Sequence, residues 1–154
     1  MSKNKSITLL RTDSGHPDFI SLVQLLDAYL AIQDGSEHAY YAQFNKPDAI
    51  KNTVVAYDNE TPIGCGAIRE INLEKTEVKR MYTQPEHRGK GIAQKILDEL
   101  ELWAAELGYK TCVLETGIRQ TEAIRLYEKH GYTRIPNYGP YLEMDNSVCF
   151  EKAV

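Results

Sequence analysis

One junction constrains this chain more than any other. An extended segment, Glu77 to Thr83, runs into a loop carrying Gly89 and Gly91, and the apolar residues then switch to helical spacing. Ile92, Ile96, Leu97, Leu100, Trp103, Ala104 and Leu107 form one stripe of an amphipathic helix of about five turns, with Gly108 at its C-terminal cap. The first amides of such a helix have no partner within it and point together at one place. With the helix dipole they make an anion site, and glycines in the loop let a phosphate approach the main chain. Between Lys79 and Lys95 lie five basic residues and one acidic residue, inside a chain of net charge −4. The simple alternative is a glycine loop that only turns the chain. No Gly-Lys-Ser/Thr ends the loop, so it is not a Walker P-loop, and the third glycine of a dinucleotide fingerprint is missing.

The flanking segments supply the rest of a mixed α/β domain. Ser6 to Thr12 reads as a first strand, and Asp18 through Ile32 as a helix with Phe19, Leu22, Leu25, Leu26, Tyr29 and Leu30 at helical spacing. Gly35 to Asp48 is irregular or short helix, rich in aromatics. Thr53–Tyr57 and Pro62–Ile71 read as a hairpin, with a turn over Leu73–Thr76 before the strand that ends at Thr83. After the long helix come a short apolar strand, Thr111 to Leu114, and a second helix, Gln120 to His130. Two closing strands, Tyr132–Ile135 and Ser147–Glu151, are joined by the loop from Pro136 to Asn146.

At 154 residues the chain is expected to be one domain, residues 1–154. The balance of 18 basic against 22 acidic residues argues against a general nucleic-acid binder. No apolar run is long enough to span a membrane, and Met1 to Ser6 does not read as a signal peptide. Cys65, Cys112 and Cys149 are odd in number and far apart, so neither disulfides nor a metal site is expected, and a reducing cytoplasm is.

The junction resembles the GNAT superfamily of N-acetyltransferases. Arg88-Gly89-Lys90-Gly91-Ile92-Ala93 matches the superfamily signature Arg/Gln-x-x-Gly-x-Gly/Ala. Ala123 to Tyr132 is similar to its Ala-x-x-Leu-Tyr-x-x-x-Gly-Phe/Tyr pattern, and the resemblance covers about residues 54–135. It implies a central mixed, mostly antiparallel, twisted sheet of about six to seven strands with about four flanking helices. It also implies acetyl-CoA as donor. Arg88, Gly89, Lys90, Gly91, Ile92 and Ala93 would hold the pyrophosphate through backbone amides. The main chain at Met81, Tyr82 and Thr83 would meet the pantetheine arm and thioester. Gln120 stands where members of the superfamily often have a cofactor-contacting Asn.

Acetyl transfer needs a neutral amine, and an alkyl amine is only about one part in 10³–10⁴ neutral at pH 7. A base is therefore expected, directly or through a water. Glu77, six residues before Thr83, stands at the offset of the glutamate in histone-type members, with Glu70 and Glu115 as fallbacks. The alternative for Glu77 is a carboxylate paired with Lys79 or Arg80. Tyr127, at the superfamily's tyrosine position, is the candidate acid for the departing thiolate, with simple core packing as the alternative. His38, Tyr40 and Tyr41, and across the chain Asn137, Tyr138 and Tyr141, are the candidate acceptor-pocket residues. The resulting expectation is a small-molecule amine acetyltransferase. A protein or peptide acetyltransferase and a non-catalytic acyl-CoA sensor are the alternatives, and a homodimer is compatible with each.

Overall fold

The computed structural model describes residues 6–34 and 49–154. In chain order these form β1 (Ile7–Thr12), α1 (Pro17–Asp34), β2 (Asn52–Asp58), β3 (Thr61–Glu70), β4 (Lys75–Thr83), α2 (Ile92–Glu106), β5 (Thr111–Gly117), α3 (Thr121–Lys129), β6 (Thr133–Ile135) and β7 (Ser147–Ala153). Short 3-10 turns lie at Pro85–His87 and Gly139–Tyr141. Three α-helices are therefore present among the described residues, where about four were expected. The segment from which a fourth was expected, with His38, Tyr40 and Tyr41, lies outside them. No helix among the described residues is long and apolar enough to cross a membrane.

The strands form one seven-stranded sheet in the order β1-β2-β3-β4-β5-β7-β6. Every pairing is antiparallel except β4 with β5. The β-branched run Thr53-Val54-Val55 in β2 is wholly buried because helices cover both faces of the sheet. One face carries α2: Ile92, Ile96, Leu97, Leu100 and Ala104 pack on Val54, Ala56, Ile63 and Val78. The other carries α1: Phe19 and Leu22 pack on Val55, Cys65 and Ala67. Two helical residues expected in the buried stripes lie at their margins. Leu25 and Leu107 are exposed, Leu107 because α2 ends at Glu106 and the chain turns away through Gly108 at φ 95°.

The β3–β4 register slips where Arg80 and Met81 of β4 oppose the single residue Gly66. Arg80 takes φ 59°, a left-handed conformation that a non-glycine residue seldom adopts. Gly66 makes the bulge fit. A Cβ there would lie 2.6 Å from Met81 Sδ and 2.9 Å from both Ile96 Cγ2 and Leu100 Cδ1. Gly66→Ala is expected to cost about 1–3 kcal/mol through overpacking, read as a fall of several degrees in Tm. An unchanged Tm would show that α2 moves off the sheet without strain.

Candidate active site

The parallel pairing of β4 with β5 is short. Only Lys75–Glu77 pairs with Thr111–Val113, while β5 stays paired with β7 as far as Gly117. Beyond Glu77 the two strands part, and the edge of β4 from Val78 to Thr83 faces an opening in place of a neighbouring strand. A cavity of about 550 Å³ fills this gap. Its walls include Glu77 to Thr83 of β4, Glu115 to Gly117 at the end of β5 and Ile118 to Gln120 after it, the start of α2, Tyr127 of α3 and Leu26, Tyr29 and Leu30 of α1. An unpaired strand edge offers alternating backbone donors and acceptors, suited to an extended ligand that carries amides.

The glycine loop closes one end. Gly89 and Gly91 both hold positive φ, 75° and 79°, and Gly91 is the N-cap of α2. A Cβ at either glycine would meet no atom within 4 Å, so the backbone conformation demands these glycines, and steric crowding does not. Gly89, Gly91, Ile92 and Ala93 line the cavity. Lys90 does not; it lies exposed at the top of the loop. Arg88 lines the cavity, and its side chain also braces the loop. Its Nε donates to the Thr83 carbonyl at 2.9 Å, and its guanidinium lies 5.1 Å from the centre of the Tyr29 ring and 5.7 Å from that of Tyr82. Arg88 thus braces the loop against β4 and α1. Opposite, the Tyr29 hydroxyl donates to Gln120 Oε1 at 3.4 Å, linking α1 to the start of α3 across the cavity. Gly91→Glu combines backbone strain with a negative charge at this end. It is expected to weaken acetyl-CoA binding at least tenfold, about 1.4 kcal/mol. Unchanged affinity by calorimetry in a folded variant would rule out the loop as the phosphate site.

The other end is polar and buried. Glu77, with 12% of its side chain exposed, accepts a 2.6 Å hydrogen bond from the Tyr138 hydroxyl and lies 3.7 Å from Lys79 Nζ, itself 10% exposed. Burial pushes the Tyr138 phenol well above its ordinary range, reinforced by the charge of Glu77, so it stays protonated and donates. Burial lowers the Lys79 ammonium, an effect that Glu77 opposes. Tyr141 is buried against Met144 and Cys149 and lines the cavity. Burial raises its phenol, with Glu77 and Glu115 adding to the effect. Glu115 also lines the cavity and accepts from Ser147 Oγ at 2.7 Å. Glu70 does not reach it: this exposed carboxylate at the end of β3 accepts from Tyr109. Asn137 is a brace, its amide donating to the carbonyls of Met144 and Ser147 and so holding the loop that presents Tyr138 and Tyr141.

Tyr127 stands between the two ends. Its ring packs edge-on to Tyr132 at 5.7 Å and near Phe150 at 6.3 Å. It is 6% exposed and lines the cavity. Its hydroxyl has no hydrogen-bond partner among the described residues. Burial raises this phenol, and Glu115 adds to the effect. The structure thus brings Glu77, Tyr127, Tyr141, Gln120 and the glycine loop around one cavity, while Tyr138 is not in its wall and reaches it only through its hydrogen bond to Glu77. Lys79 forms the pair with Glu77 that was the alternative expected for this carboxylate, as alternation along β4 puts both on one side of the strand, while Arg80 pairs with Asp27 of α1.

Comparison with known proteins agrees with this geometry. The model of the acetyltransferase (GNAT) family matches residues 19–132. An IAA acetyltransferase of Azospirillum brasilense is 34% identical over 152 residues, covering 96% of this chain and 97% of that protein. YsnE, an uncharacterized N-acetyltransferase of Bacillus subtilis, is 33% identical over 99 residues, covering 63% of this chain and 66% of the relative. A solved candidate acyl-CoA N-acyltransferase from Klebsiella pneumoniae superposes with a TM-score of 0.80 at 30% identity, over 96% of this chain and 97% of that one. A GNAT acetyltransferase of Elizabethkingia anophelis, solved with acetyl-CoA bound, shares the fold at a TM-score of 0.69 and 20% identity, over 97% of this chain and 99% of that one. With a parted β4–β5 pair, a glycine-capped helix at its mouth and a family match spanning most of its length, this chain belongs to the GNAT acetyltransferase family and is an acetyl-CoA-dependent acyltransferase.

Proposed function

We propose that the enzyme transfers the acetyl group of acetyl-CoA to the primary amine of a small molecule, by direct attack of the amine on the thioester. The observation that carries this reading is the single cavity with unlike ends. Gly89 and Gly91 shape an anion-seeking mouth, and the buried carboxylate of Glu77 lies at the far end. Glu77 and Thr83 are six residues apart on β4, a span of about 20 Å. That length suits a pantetheine arm laid along the strand, its amides paired with the main chain at Met81, Tyr82 and Thr83 and its phosphates on the loop amides. Gln120 would meet it from the other side. Buried Tyr141 narrows the acceptor end, with Tyr138 holding Glu77 in place behind it, which favours a small acceptor over a folded protein surface.

In this reading Glu77 takes a proton from the acceptor ammonium, directly or through a water, and frees the nitrogen lone pair. The nitrogen–carbon bond forms, and backbone N–H groups near the bulge at Arg80 and Met81 favour the charge that grows on the carbonyl oxygen. The carbon–sulfur bond then breaks, and the Tyr127 hydroxyl supports the departing thiolate. Thiol release from acetyl-CoA, measured over a panel of amines, amino acids and peptides, tests the proposal. Turnover with at least one small amine, and none with peptides, is expected. Turnover with peptides alone would make the enzyme a protein acetyltransferase. Acetyl-CoA binding without turnover of any acceptor would make the domain a cofactor sensor.

A further inference from the structure

Glu77 does not stand alone on the α1 face of the sheet. Arg69 is its cross-strand partner on β3, and Lys79 follows two residues on. Arg80, 8% exposed, pairs at 3.6 Å with Asp27 of α1. The charged groups acting on Lys79 are Glu77, Arg80, Arg69 and Glu115. Among the described residues this end of the cavity is lined by two cations, Lys79 and Arg80, and two carboxylates, Glu77 and Glu115, while Arg69 and Asp27 are exposed outside its wall. The set is balanced while Glu77 is ionised. The balance fails during the reaction read above. A simple alkylamine arrives as a cation, and the proton it gives to Glu77 cancels the nearest negative charge to the Lys79 ammonium. A nearly buried ammonium that loses its nearest countercharge, with only the more remote Glu115 acting in the same sense, is held less favourably. An acceptor that brings its own negative charge restores the balance at every stage. Its ammonium faces Glu77 while its anionic group faces Lys79.

We propose that the acceptor is an amino acid or a related amine bearing a carboxylate, and that Lys79 is the residue that selects it. This rests on the acetyl-transfer reading and narrows its substrate class. Lys79 is suited to the task by position. It lines the cavity, it sits one strand repeat from the base, and about 13 Å of β4 separates it from Thr83 at the phosphate end, so the CoA phosphates do not reach it.

Matched acceptors separate charge from amine reactivity. Leucine, phenylalanine, glutamate and β-alanine are each compared with the amide made at the carboxylate next to the amine-bearing chain. Converting an α-carboxylate to an amide lowers the basicity of the amine toward the α-amino range of about 7.7–8.0. The α-amides thus enter with more neutral amine, and any preference for the acid reflects recognition. The wild-type enzyme is expected to use at least one acid with kcat/KM ten or more times that of its amide. Lys79→Met should bring that ratio to one or below, mainly by raising the KM of the acid, and Lys79→Arg should keep it above one. Acetyl-CoA binding measured by calorimetry reports whether each variant is folded, and if Lys79→Met is not, the wild-type ratio and Lys79→Arg decide. Equal or better use of the amides in all four pairs overturns the inference while leaving acetyl transfer standing, as does an unchanged ratio in folded Lys79→Met. No thiol release with these acceptors or with simple amines overturns the acetyl-transfer reading itself.

Discussion

Tyr127→Phe is expected to lower kcat by about 10²-fold while keeping the fold and acetyl-CoA affinity. The ring carries the packing, edge-on to Tyr132 and beside Phe150, and phenylalanine keeps that ring. Only the hydroxyl is lost, and among the described residues it has no hydrogen-bond partner to leave stranded. Its position on the cavity wall makes it available to the thiolate. The magnitude follows from acid strengths. Burial holds this phenol well above its ordinary value, whereas a thiol titrates near about 8.5. Complete proton transfer from Tyr127 to the thiolate is therefore uphill, and the hydroxyl acts by donating a hydrogen bond to a charged sulfur. Such a bond is worth about 1.5–3 kcal/mol, or roughly 10–150-fold in rate. The raised phenol also fixes the pH behaviour. Tyr127 stays protonated through pH 9.5, so the wild-type to variant ratio of kcat should be flat from pH 6.5 to 9.5. Wild-type kcat in the variant would assign Tyr127 to the core.

Legibility in the sequence followed how local the cause was. The stripe from Ile92 to Ala104 needs only helical periodicity, and the loop before it needs only two residues at positive φ, so both were readable from adjacent positions. The hairpin of β2 and β3 was readable for the same reason. What lies between β4 and β5 was not. Their parting after Glu77 arises because β5 continues along β7 while β4 is turned by the bulge opposite Gly66, and neither event leaves a periodic trace. The hydrogen bond from Tyr138 to Glu77 joins residues 61 apart in sequence, and nothing near either residue announces the other. Lys79 was legible as a partner of Glu77, but its separation from the charges of the glycine loop was not. A run of positive charge along the chain looks continuous, but a strand sends alternate side chains to opposite faces, and the bulge changes that alternation again at Arg80. At Arg88 the motif speaks for the main chain alone, and that its guanidinium goes to Thr83 and two tyrosine rings is not legible from it. Asn137 likewise reads as a pocket residue in its loop and serves as the loop's brace.

Glu77→Gln is expected to lower kcat/KM by about 10²-fold or more near neutral pH, the range of general-base catalysis, with the deficit shrinking toward pH 9.5. The amide keeps the size of the side chain and can still accept from Tyr138, so what is lost is the charge and the basic lone pair. As pH rises a growing share of the acceptor amine is already neutral and has less need of a base. The competing account is electrostatic. Glu77 lies 3.7 Å from Lys79, and both are nearly buried. Removing one partner of a buried pair can cost about 3–5 kcal/mol of stability. That cost also depends on pH, and with the same sign. Burial already depresses the Lys79 ammonium, so the folded protein holds it at a disadvantage while it is protonated. The penalty fades as pH rises through its lowered value. Activity alone therefore does not separate base from ion pair, and Tm measured at each pH does. If Glu77 is the base, the kcat/KM ratio changes with pH at temperatures far below Tm, where both proteins are folded. If Glu77 only neutralises Lys79, Tm recovers with pH while the kcat/KM ratio of the folded enzymes stays near one throughout. Tyr138→Phe completes the distinction, because it leaves the charge of Glu77 in place and removes only the 2.6 Å hydrogen bond. Its loss should be at most about 10–150-fold, the worth of one hydrogen bond to a charged group, and constant with pH. A folded Glu77→Gln enzyme with wild-type kcat/KM at pH 7 would remove Glu77 as base and transfer the role to Glu115, the other carboxylate on the cavity wall.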